Sequence, residues 1–258
     1  MSQAVVKIGG GALGAADTLF SDLATLQRGG AEMIVVHGGG NVVSDWQKRH
    51  GIETRFVRGL RVTDGPALEV ATAVLAGLVN KELVASISGC GGRAVGLSGV
   101  DGGIIQAEVR DSELGYVGRV TGVDPGPLEA LARSGCLPVL SPIAAQQRNG
   151  STDWKGFLNV NADTVAGELA SAIGATGLIF LTDVEGILDE TGACVSSLSR
   201  DEAMDMIESG VINSGMIPKV EACLKAAESS VRAVITDGRR SHALLDAVEG
   251  RGPGTWFG

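Results

Sequence analysis

Ala4-Val5-Val6-Lys7-Ile8-Gly9-Gly10-Gly11 and Met33-Ile34-Val35-Val36-His37-Gly38-Gly39-Gly40 each run an apolar strand into three adjacent glycines. A near-continuous apolar run of this length is the mark of a strand buried on both faces. Three glycines in a row bare the backbone N–H groups, admit a ligand closely and permit positive φ. A helix opening after each triplet would aim its free amides and positive dipole end at the same space. The pattern predicts an anion cradle built twice, for phosphate or carboxylate, with Lys7 adding a full charge beside the first. The competing reading is a pair of tight strand-to-helix turns with no ligand.

Working outward, strand and helix patterns alternate. Helical segments are expected at 16–28, 41–50, 68–88, 127–134, 161–173, 199–209, 216–228 and 241–248. Strands are expected at 93–97, 103–109, 115–123, 137–144, 157–160, 177–181 and 233–236, the last being the final clear strand. Asn149-Gly150 is a hairpin signal between two of these strands. Such alternation predicts an α/β fold, a mostly parallel sheet with helices on both faces and ligands at the carboxyl ends of the strands. The order of elements places a lobe boundary near Gly174, giving lobes 1–173 and 174–258.

The chain has 258 residues, 44% apolar and only 3% aromatic, so the core is expected to be aliphatic. The net charge of −9 disfavours nucleic acid and anionic membrane as partners, but not a small anion in a locally positive cradle. Cys90, Cys136, Cys194 and Cys223 lack metal spacing and read as reduced, mostly buried thiols of a cytoplasmic protein. No apolar run approaches a membrane span, and no signal-type N-terminus is present.

Gly9, Gly11 and Gly14 satisfy the dinucleotide spacing, but the second strand ends in His37 and glycines where that site wants an acid. No P-loop segment exists. In Phe56-Val57-Arg58-Gly59-Leu60-Arg61-Val62-Thr63-Asp64, either arginine could grip a carboxylate in a bidentate fork. The same residues read equally well as a solvated loop with Thr63 or Asp64 capping the next helix. Asn159 and Asn161 point to one side of an extended segment, with Asp163 following unless a helix has begun, and helix capping accounts for part of that pattern. Thr182-Asp183-Val184-Glu185-Gly186-Ile187 is a strand-end turn of the kind that meets nucleotides. Lys219 stands in a first helical turn, against the dipole, where a solvated surface lysine is the plainer reading.

Val6-Lys7-Ile8-Gly9-Gly10, His37-Gly38-Gly39-Gly40, Gly59-Leu60-Arg61-Val62-Thr63-Asp64, Asn159-Val160-Asn161-Ala162-Asp163, Leu181-Thr182-Asp183-Val184-Glu185-Gly186-Ile187 and Gly215-Met216-Ile217-Pro218-Lys219-Val220 together resemble the acetylglutamate kinases of the amino acid kinase family. The resemblance runs from residue 4 to about residue 256. It implies a three-layer αβα sandwich of the carbamate kinase-like type. The N-terminal lobe would hold N-acetyl-L-glutamate, and the C-terminal lobe ATP with Mg2+. By the same resemblance Gly39 and Gly40 offer amides to the γ-carboxylate, Arg61 holds the α-carboxylate and Asn159 the acetylamino group. Lys7 and Lys219 flank the transferred phosphoryl group, with Asp163 between them. Gly9, Gly10, Asp183, Val184, Glu185, Gly186, Ile187, Leu188, Val211, Ile212 and Asn213 contact the nucleotide, and no residue is assigned to a metal.

The chain starts just before the first strand, where hexameric arginine-inhibited members carry an added helix, so the resemblance implies an arginine-insensitive homodimer. The polar segment 146–156 is longer than the family pattern and is expected to shape a lid or a dimer surface. The rival readings are a kinase for carrier-linked α-aminoadipate, a non-catalytic sensor of amino acid or nucleotide, a nucleoside monophosphate kinase and an NAD enzyme.

Overall fold

The computed structural model describes residues 3–11, 18–57, 59–147, 155–213 and 215–258. β1 (Gln3–Ile8) is followed by α1 (Leu19–Arg28), β2 (Glu32–His37) and α2 (Gly40–Arg49). A short hairpin of β3 (Phe56–Val57) and β4 (Leu60–Arg61) leads into α3 (Gly65–Thr72), a π-helical stretch at Ala73–Val79, and α4 (Asn80–Gly89). Next come β5 (Ala94–Gly99), β6 (Ile105–Val109), β7 (Gly118–Val123), α5 (Gly126–Arg133), β8 (Leu137–Gln146), β9 (Phe157–Asn159) and α6 (Ala162–Ala172). The chain closes with β10 (Gly177–Thr182), α7 (Arg200–Glu208), α8 (Ile217–Glu228), β11 (Arg232–Asp237), α9 (Ala243–Val248) and β12 (Thr255–Phe257).

One sheet follows the path β12-β11-β10-β1-β2-β8-β6-β7, with β5 and β9 also paired to β8. From β11 through β8 the neighbours are parallel, while β12, β7 and β9 pair antiparallel. Alternation along the strands sorts two cores. Val5, Ile34, Val36, Leu178 and Phe180 pack beneath α5, α6 and α8. Val6, Ile8, Met33, Val35, Ile179 and Leu181 pack beneath α1–α4 and α9. The result is the expected three-layer αβα sandwich, and the β1–β10 pairing carries the sheet across residue 174 without a break.

Several sequence readings are corrected. The helix expected at 16–28 is described as α1 from Leu19 to Arg28, and residues 12–17 lie outside the described residues. The polar arginine loop contains the β3–β4 hairpin, and β12 follows the strand read as last. Gly65–Gly89 joins into one helix that by length and composition alone could cross a membrane, against the reading that no apolar run approaches that length. It carries Glu69, Lys81 and Glu82 and buries Leu68, Val74, Leu75, Val79 and Leu83 in the protein's own core. Among the four free cysteines only Cys223 is buried, so the thiols are not mostly buried. β8 and β9 do form an antiparallel pair, but Asn149-Gly150 and most of the polar segment 146–156 lie outside the described residues.

Candidate active site

Strand parity decides which side chains reach the site. Lys7 shares the face of Val5 and turns towards α6 and α8, whereas His37 shares the face of Val35 and turns towards α4. Asn161 caps α6 by accepting from the N–H of Asp163 and of Thr164, at 2.8 and 3.1 Å. That cap sets Asp163 in the first turn of α6, where its carboxylate meets Lys7 Nζ at 2.5 Å through Oδ1 and Lys219 Nζ at 3.1 Å through Oδ2. Lys219, third residue of α8, also donates to Gly215 O at 3.3 Å.

Burial pushes the Lys7 ammonium below its ordinary value, the Asp163 carboxylate pulls it back in part, and the Lys219 charge lowers it further. Burial pushes the Asp163 carboxyl up, but the two lysines outweigh it and hold it below the ordinary carboxylate value. Two ammonium groups share one carboxylate in a nearly dry place, and Asp183 adds only a weaker pull on Lys7. Such an arrangement favours an anionic ligand beside it.

The second glycine triplet is wired for that ligand. Its carbonyls are all engaged: Gly38 O by His37 Nδ1, Gly39 O by Val43 N–H, and Gly40 O by Ser44 Oγ and Arg61 Nη2. Among the described residues the N–H groups of Gly10, Gly39 and Gly40 have no acceptor. Gly39 has φ +146°, and a Cβ there would press on Leu75 and Val79 at 3.0 and 3.3 Å, so only glycine suits the position. α2 opens at Gly40, adding its dipole end to the cradle.

Arg61 lies at the end of β4. Its Nη1 donates to Gln47 Oε1 at 2.7 Å and its Nη2 to Ser44 Oγ at 2.9 Å, with the guanidinium 4.9 Å from the centre of the Phe56 ring. Burial draws this guanidinium below its ordinary value. Asp64 caps α3 through the N–H of Ala67, so the polar loop supplies both a cap and a cation. Arg58 falls outside the described residues. Asn159 Nδ2 donates to Thr63 Oγ1 at 3.2 Å and its backbone N–H to Tyr116 O, which ties β9 to the arginine loop.

Lys7, Gly10, Gly39, Gly40, Arg61, Asn159 and Asp163 thus line one cleft of about 230 Å³. Lys219 joins it through Asp163 and is not in its wall. The segments 183–188 and 211–213 lie outside this cleft, on the β10 side. Asp183 packs against Gly11, leaving no room for a side chain there. Ile187 and Ile212 are buried in the core beside α6 and α8, so a ligand could meet only their backbone. Sequence reading missed Gln47, Ser44, Thr63 as the partner of Asn159, and Asn80. A lone amide inside a long apolar helical run, as Asn80 is, is the signal that could have found one of them.

Comparison with known proteins places this geometry. An acetylglutamate kinase from Dehalococcoides mccartyi is 43% identical over 93% of this chain and 89% of its own length. A crystallised protein from Streptococcus mutans UA159 superposes with a TM-score of 0.84 at 28% identity, covering 91% of this chain and 94% of that one. Giardia carbamate kinase shares the fold, with a TM-score of 0.74 at 15% identity over 99% of this chain and 98% of that one. The profile of the amino acid kinase family matches residues 2–237, which include both glycine cradles, Asp163 and Lys219. The chain therefore belongs to the amino acid kinase family and is a kinase.

Proposed function

We propose that this protein transfers the γ-phosphoryl group of ATP to the γ-carboxylate of N-acetyl-L-glutamate, giving the acyl phosphate used in arginine biosynthesis. The observation that carries the reading is the single cleft that joins the open amides of Gly39 and Gly40 to Arg61, Asn159 and the Lys7–Asp163–Lys219 triad. The D. mccartyi relative supports the choice of acceptor. In this reading Arg61 grips the α-carboxylate, Asn159 the acetylamino group, and the Gly39 and Gly40 amides the γ-carboxylate. The acceptor carboxylate is ionised at neutral pH, so no general base is required. What the residues supply is alignment of two anions and neutralisation of charge on the moving group. Lys7 and Lys219 do this from opposite sides, and Asp163 keeps both ammonium groups aimed.

The nucleotide is assigned to Gly9, Gly10 and the segments 183–188 and 211–213, so that 1–173 is the acceptor lobe and 174–258 the ATP lobe, with Gly9 and Gly10 of the first lobe reaching the phosphates. The unengaged N–H of Gly10 beside Lys7 fits a phosphate oxygen. Magnesium would arrive on the phosphates of ATP, with water completing its shell. A cytoplasmic homodimer completes the proposal, and sedimentation equilibrium tests the dimer. The decisive assay traps acyl phosphate with hydroxylamine, using Mg-ATP and N-acetyl-L-glutamate beside glutamate, aspartate, α-aminoadipate and UMP. Hydroxamate only with acetylglutamate is expected. Hydroxamate with none of them overturns the proposal.

A further inference from the structure

His37 ends β2 on the face away from Lys7 and is fully buried. Asn80, the first residue of α4, is fully buried as well. The Asn80 Nδ2 group donates to Val139 O at 2.9 Å, has Leu97 O at 3.3 Å and lies 3.1 Å from His37 Nε2, while Asn80 Oδ1 accepts from Lys81 Nζ at 3.0 Å. Turning that amide over would set Oδ1 against the Val139 carbonyl, so its orientation is settled by its neighbours. Nδ1 lies 2.8 Å from Gly38 O and donates to it. The ring proton sits on Nδ1, because the carbonyl beside it can only accept, and Nε2 is left as an acceptor facing Asn80 Nδ2. Burial, with Lys7 and Lys81 adding to it against the pull of the Gly38 carbonyl, lowers the imidazole pKa to about 4, so the ring is neutral at physiological pH.

We propose that His37 and Asn80 are positioning residues that fix the direction of the Gly38–Gly39 peptide and thereby aim the Gly39 N–H at the bound anion. The proposal rests on reading this cradle as the acceptor site. In a trans peptide the C=O and N–H point opposite ways, so a donor pinned to Gly38 O also orients the N–H of Gly39. Two glycines in sequence would otherwise leave that plane free to turn and present a carbonyl to an anion. Leu75 and Val79 of the π-helical stretch crowd Gly39 at its Cα and leave the peptide less room to turn. The relay therefore runs from Val139 and Lys81 through Asn80 and His37 to one amide of the cradle.

The test compares His37→Gln with His37→Asn. Glutamine keeps a polar group near Asn80 but has no donor where Nδ1 stands, whereas the asparagine amide can occupy the Nδ1 place. His37→Gln is expected to raise the KM for acetylglutamate by about tenfold or more, with the KM for ATP within about twofold. His37→Asn is expected to recover most of that loss. An unchanged KM in folded His37→Gln, or equal losses for both substrates in both variants, overturns the proposal. A reading that needs no variant is the nitrogen-15 correlation spectrum of the wild-type imidazoles. The proposal expects His37 as the Nδ1–H tautomer, neutral from about pH 5.5 to 8. A proton on Nε2 overturns it even if no acceptor is turned over. Wild type inactive on acetylglutamate but with the Nδ1–H tautomer would instead sink the assignment of the acceptor.

Discussion

Lys219 Nζ meets Asp163 Oδ2 at 3.1 Å because the first turns of α8 and α6 lie side by side, one helical turn before Gly167 and Ala222 touch. A Cβ on Gly167 would stand 2.8 Å from Ala222 Cβ and 2.9 Å from its Cα. The missing side chain at Gly167 thus brings the second ammonium group onto the carboxylate that already holds Lys7. An orienting carboxylate and two cations come from three elements, β1, α6 and α8, and the helix contact sets their spacing.

Lys219→Ala is expected to lower kcat by about 10² or more, the scale seen when a donor to a developing oxyanion is removed. The acceptor cleft does not include Lys219, so the KM for acetylglutamate is expected to hold. Steady-state kinetics with both substrates varied decides this, and a near-normal kcat removes Lys219 from the reaction.

Gly167→Ala tests the helix contact. The added methyl meets backbone as well as side-chain atoms of Ala222, so neither helix can yield cheaply. Overpacking of this kind costs about 1–3 kcal/mol. Urea denaturation is expected to show that loss together with a lower kcat, as Lys219 moves off Asp163. Stability equal to wild type would mean that α6 and α8 separate freely.

Arg61→Lys separates charge from geometry. A single ammonium cannot serve Gln47, Ser44, Gly40 O and a substrate carboxylate together, as the planar fork can. The KM for acetylglutamate is expected to rise about tenfold or more, with the KM for ATP unchanged. Equal KM values in variant and wild type would take Arg61 out of acceptor binding.

The neutral, buried His37 predicts an acid limb of stability. Its folded pKa of about 4 lies below the ordinary 6.5, so between those values the unfolded chain binds the extra proton. Stability is therefore expected to be full above about pH 6.5 and to fall as pH drops towards 4, by about 3 kcal/mol from this group. Asp163, held below 3.8, adds its own loss only at still lower pH. Denaturant titrations across this range check the window. A His37→Asn variant, which has no group titrating there, should flatten it.

Legibility in the sequence followed the range of each interaction. The strand-end glycines, Lys7 and the Asn161–Asp163 segment announce themselves because a strand, its turn and its cap are local. Arg61 remained one of two readings, since the hairpin that places it has only two residues in each strand. Asn80 and Gln47 had no legible role because their partners, His37 and Arg61, stand 43 and 14 positions away. β12 was missed because three residues, Thr255–Phe257, become a strand only when β11 offers an edge.

The π-helical stretch at Ala73–Val79 lets the rod from Gly65 to Gly89 hold one extra residue without turning its far end. Its wider rings spend one more residue than α-helical ones, and each residue of an α-helix turns the chain by about 100°. Deleting one residue there and relaxing the stretch to α-helix would leave Asn80 facing His37 and Ala71 in the cleft wall, but would rearrange Leu75 and Val79 against Gly39. Homologous chains that keep the His37–Asn80 pair should therefore show either this stretch or a plain α-helix one residue shorter across it, and no other change of length between Ala71 and Asn80.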